Sequence, residues 1–208
     1  MRYLLLAILL CCSVTIYGQE NQAHFDGHKW EAPYELPIPK NWTIERFLVP
    51  PSFASEILYK GVEDIRFTPG WANMKSEEYW SYTFLWCLDA KPDIDENILK
   101  KDLSLYYTGL LNVNTDTSKF KSEINIPVKV QVQKAKPLSG ELKYYTSLIE
   151  MRDYMTRKEI KLNCKIHFIS CQEIGKTILF FELSPQPFKH NVWLTLDQLW
   201  LDFKCKKN

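Results

Sequence analysis

The stretch EYWSYTFLWCLD, from Glu78 to Asp89, puts five aromatic rings into twelve positions, and its period limits the fold more than any other feature. Counted in twos, Trp80, Tyr82, Phe84, Trp86 and Leu88 fall on one side, and Tyr79, Ser81, Thr83, Leu85 and Cys87 on the other. One side is uniformly large, the other mixed and smaller. Aromatic residues suit a pleated surface, and alternation marks a strand. Tyr79, Tyr82 and Trp86 also fall at helical spacing, but the strand reading accounts for the whole ring side.

The segments around it change period. TIERFLV (43–49) and ILYKGVEDIRF (57–67) read as strands, the second bent at Gly61, and TPGW (68–71) reads as a turn in which Gly70 permits a positive φ. Helical spacing appears at 95–111, where Ile94, Ile98, Leu103, Tyr106 and Leu110 approximate one stripe, Asp93 or Asp95 can cap, and Gly109 lies near the end. Four strand patterns follow, in INIPVKVQVQKA, ELKYYTSLIEMRDYM, EIKLNCKIHFIS and the more evenly apolar TILFFELS. The last element, HNVWLTLDQLWLDFKC, repeats Val192, Leu196, Leu199 and Phe203 at helical spacing, widened by Trp193 and Trp200, with Asn191 as its cap. This order predicts an α+β fold: an antiparallel sheet meander with two amphipathic helices packed on one face.

The chain opens MRYLLLAILLCCSVTIYGQE, with one basic residue, an apolar run from Leu4 to Ile16 and a small residue at Gly18. That layout predicts a signal peptide over residues 1–18, export, and a mature chain starting at Gln19. Residues 19–42 are polar and proline-rich and read as extended coil, leaving 43–208 as a single α+β domain. No later segment has transmembrane length, so the mature chain is expected to have no membrane span. With Arg2 removed, basic and acidic side chains balance at 25 each. No concentrated basic face exists beyond the KCKKN tail, which argues against a nucleic-acid partner.

The predicted mature chain keeps Cys87, Cys164, Cys171 and Cys205, with no CxxC pair to suggest zinc. A final helix returning antiparallel along the sheet, at about 1.5 Å per residue, brings Cys205 back to the turn at Cys171. Cys171–Cys205 is therefore the expected disulfide.

At YKGVEDIRFTPGW, EYWSYTFLW and FFELSPQPF the chain resembles a group of uncharacterised exported proteins of Bacteroidetes-type bacteria, through most of its mature length. The resemblance implies a periplasmic or extracellular setting and says nothing about substrate.

Few residues suggest chemistry. His24, Asp26 and His28 are metal-ligand types, but they sit in a polar tail without an evident further ligand, and no metal or cofactor is expected. Glu63 and Asp64 offer paired carboxylates for a hydrolase-like enzyme. Adjacent strand residues face opposite ways, however, and an ion pair with Arg66 is the simpler expectation. Cys164 and His167, three apart, also fall on opposite faces. Trp80, Tyr82, Phe84 and Trp86 are the candidate ligand-binding residues. They read first as core beneath the helices, and alternatively as the wall of a cavity for a small apolar ligand. The expected function is a non-enzymatic binding or interaction module, whose partner is that ligand or another protein.

Overall fold

The computed structural model describes residues 25–116, 119 and 127–206. The expected signal peptide, His24, and Ile126 of the first strand after the helix lie outside the described residues. The elements are β1 (Tyr34–Glu35), β2 (Thr43–Val49), β3 (Gly61–Phe67), β4 (Tyr82–Leu88), α1 (Glu96–Asn114), β5 (Lys129–Ala135), β6 (Lys143–Arg152), β7 (Glu159–Cys171), β8 (Lys176–Ser184), α2 (Val192–Asp202) and β9 (Lys204–Cys205).

β2 to β8 form one seven-stranded antiparallel sheet in the order β2-β3-β4-β8-β7-β6-β5. The α+β class is as expected, but the single meander is not. Two meanders meet back to back: β2-β3-β4 runs inward, and β8-β7-β6-β5 runs outward in reverse. Between them, α1 carries the chain from the centre of the sheet to its far edge. β1 and β9 make a separate two-stranded ribbon, pairing Tyr34 with Cys205.

The expectation that both helices cover one face does not hold. Phe84 pairs with Phe181, and Leu85 with Phe180, so each pair points to a different side. Phe84 and Phe181 join Tyr106 and Tyr107 of α1 in the larger cluster. Leu85 and Phe180 join Leu199 of α2 in the smaller one. A sheet whose central strands are apolar on both sides needs a cover on each.

Each helix begins with its own device. Asp95 Oδ1 accepts from the amides of Asn97 and Ile98, both at 2.9 Å, which satisfies donors that the first turn leaves open. Asn191 makes no side-chain cap for α2; His190 Nδ1 accepts from the Val192 amide instead, at 3.2 Å. The buried residues of α1 include Leu99, Leu103, Tyr106, Tyr107 and Leu111, so its seam is turned slightly from the expected stripe. Gly109 lies against the short helical turn Ser52–Ala54, where a Cβ would run into the Phe53 carbonyl.

Cys171 and Cys205 are joined, with Cα atoms 5.6 Å apart. This bond and the β1–β9 ribbon hold the proline-rich segment to the α2 face, where Trp30, Leu36 and Trp42 pack around buried Tyr34. Cys87 and Cys164 are free and buried.

Candidate functional site

The four predicted ring residues are core. Trp80, Tyr82, Phe84 and Trp86 are each at most 3% exposed. Phe84 stacks between Phe181 (4.3 Å between centroids) and Tyr106 of α1 (5.4 Å). Of the two helices, α1 is the one that packs on this side. Its cover is incomplete at one end, and Trp80 and Tyr82 line the gap, whereas Phe84 and Trp86 do not.

That gap is a cavity of about 250 Å³ between the β2–β3–β4 half of the sheet and the C-terminal half of α1. Eight of its twelve lining residues are aromatic. Phe47 comes from edge strand β2, Phe53 from the following turn, and Phe67 from β3. Trp71 and Trp80 come from the β3–β4 loop, and Tyr82 from β4. Tyr106 and Leu110 supply the helix wall, and Tyr154 enters from the β6–β7 turn. The rings brace one another, with Phe67 and Trp71 at 4.5 Å and Trp80 and Tyr154 at 5.4 Å between centroids. Exposed Glu45 and Asn114 stand at the rim.

The β3–β4 loop is held rigidly. Trp80 adopts φ 55°, which a bulky residue rarely tolerates. Its amide donates to the Trp71 carbonyl at 3.0 Å, and its indole Nε1 donates to Asp153 at 3.1 Å. Asp153 also accepts from Tyr79 Oη at 2.6 Å, from the Met155 amide at 2.9 Å and from Thr156. Burial opposes its charge, but these donors outweigh burial and hold its carboxyl below the usual range. Gly70, free to take a positive φ, does not use one. A Cβ there would strike Ser76 and Glu78, whose carboxylate accepts from the Gly70 amide at 2.7 Å.

Behind the pocket wall, Trp71 holds a buried donor without a partner. Its indole Nε1 is closed to solvent and finds no acceptor among the described residues. An unmade hydrogen bond at a buried donor costs about 1–3 kcal/mol.

Glu63 and Asp64 do not share a site. They occupy successive positions of an unbulged strand and face opposite layers. Glu63, fully buried behind Tyr106, accepts from Tyr106 Oη at 2.6 Å and from Trp86 Nε1 at 2.9 Å. Burial pushes its carboxyl up to about 8, against those two donors. Asp64, on the α2 face, pairs with Arg66 as expected, and also with Arg46 (3.2 Å) and Tyr34 Oη (2.8 Å). This is a buried lock for the proline-rich segment.

Cys164 faces the α1 layer and His167 the α2 layer, as their spacing requires. A cluster that sequence reasoning missed surrounds His167. Its Nδ1 meets Glu141 Oε1 at 2.6 Å, its Nε2 meets Glu182 Oε1 at 3.0 Å, and its ring stacks on Trp200 at 4.3 Å. Burial disfavours the imidazolium, but the two carboxylates outweigh burial and raise its pKa. With both nitrogens occupied, the ring has no lone pair for a substrate, and the cluster is structural. Its cross-strand partner is Phe180, and Glu141 lies 26 residues away in the chain.

Among the described residues no helix is long and apolar enough to cross a membrane, and no group of His, Cys, Asp and Glu is placed to hold a metal ion. No known protein family, curated protein or solved structure matches this chain.

Proposed function

We propose that this chain is an exported binding module that holds a small, largely apolar ligand between its sheet and α1. The observation that carries the reading is the aromatic cavity of about 250 Å³ between the β2–β3–β4 half of the sheet and α1. Ligand sites are typically concave, mostly apolar and equipped with a few polar groups that fix orientation. The braced loop and strained Trp80 backbone supply the rigidity that a preformed site needs. Export is supported by the leader pattern and agrees with the Cys171–Cys205 bond, because disulfides persist in oxidising compartments. A carboxylate-pair hydrolase is less well supported, since Glu63 and Asp64 lie in different layers.

Native mass spectrometry of the protein isolated from its own cells tests the reading. The expected result is an adduct of small-molecule mass, absent from a Leu110→Trp variant whose indole fills the cavity. Equal adducts in both proteins, or none in either, count against it. N-terminal sequencing of the same sample should begin at Gln19 if the leader is removed as proposed.

A further inference from the structure

The charge distribution around the cavity narrows the class of ligand. Glu45 is the one formally charged residue among those that line it, and no Lys or Arg does. Glu45 is exposed on edge strand β2 and has no ion-pair partner among the described residues. Burial does most to raise the pKa of Tyr106 and Tyr154, and the charge of Glu45 adds to it in both. Arg152 and Arg157 lie beyond Tyr154 in an adjoining crevice, where both are engaged in contacts of their own. Aromatic faces are electron-rich, and a cation over such a face gains about 0.5–1 kcal/mol when exposed and about 2 kcal/mol or more when desolvated. A wall of rings with a carboxylate at the mouth therefore favours positive charge and rejects negative charge.

Resting on the pocket reading above, we propose that the ligand is a small organic cation, an alkylated ammonium. The ammonium sits among Phe47, Phe67, Trp71 and Tyr154 and faces the Glu45 carboxylate. A neutral apolar molecule would fill the same volume without using Glu45, and an anion would meet it unfavourably.

Three probes of nearly equal shape separate these cases: choline, its neutral isostere tert-butylethanol, and the anion tert-butylacetate. Binding is followed by the fluorescence of Trp71 and Trp80 and by calorimetry. Choline is expected to bind about tenfold or more tighter than tert-butylethanol, and tert-butylacetate more weakly than either. Glu45→Gln should weaken choline about two- to fivefold and leave tert-butylethanol unchanged. Leu110→Trp should abolish both. If choline and tert-butylethanol bind equally and Leu110→Trp abolishes both, the cation inference fails while the pocket reading stands. Preference for the anion, choline binding that survives Leu110→Trp, or no binding of any probe overturns the cation inference. The adduct measurement on the natural protein then decides the pocket reading by itself.

Discussion

A single buried carboxyl, Glu63, makes a pH signature that can be measured. Burial raises its pKa from an ordinary 4.5 to about 8. Between those values the folded chain keeps a proton that the unfolded chain has released. Stability from this group is therefore full below the window and falls as pH rises through it, by about 1.4 kcal/mol per pH unit. Glu63→Gln removes the ionisation but keeps the bonding: the amide oxygen accepts from Trp86, and the NH₂ donates to the Tyr106 hydroxyl. Chemical denaturation from about pH 5 to pH 8 should show stability falling less steeply in the variant than in the parent; parallel curves would refute the assignment. Asp64 has a different role: it forms ion pairs with buried Arg66 and nearby Arg46. Asp64→Asn strands those cations and should cost about 3–5 kcal/mol in urea unfolding. Sequence spacing showed that Glu63 and Asp64 part company. The partners of Glu63 were hidden, because Tyr106 lies 43 residues away and only the packing of α1 brings it near.

At the scale of elements, strand periodicity was legible and its assembly was not. β2, β4, β7 and β8 lie where the sequence patterns put strands. The helix stripes were also real, but a stripe shows only that a helix has an apolar side. It does not say which of two apolar sheet faces that side will meet. The evenly apolar β8 held the missing signal, since a strand greasy on both sides sits mid-sheet between two covers. The disulfide was legible because it depended only on the return of α2, not on the face chosen. Replacing Cys171 and Cys205 by Ser opens a loop of 34 residues. The chain-entropy model puts the cost at about 4 kcal/mol, read as a lower denaturation midpoint. Gly109→Ala drives a methyl against the Phe53 backbone, which cannot swing aside as a side chain would. It should cost about 1–3 kcal/mol and weaken ligand binding too, because Phe53 and α1 both wall the cavity.

For the whole molecule, two sequence-local meanders are joined within the sheet by the long-range pairing of β4 with β8. The sequence order suggested that the strand after α1 would join β4, but α1 carries the chain to the opposite edge. The central pair is covered by α1 on one side and α2 on the other, whereas β2 and β5 are sheet edges. Amide hydrogen exchange should be slowest in β4 and β8, approaching the rate of global unfolding, and faster in β2 and β5. Edge strands as well protected as β4 would contradict this gradient. The β1–β9 ribbon lies in the α2 layer, and the cavity opens in the α1 layer. An immobilising linker or fusion partner attached outside that ribbon would therefore leave from the rear of the molecule. The chain can be anchored to a bead or a scaffold by either strand of the ribbon with its ligand entrance still turned toward the surrounding fluid.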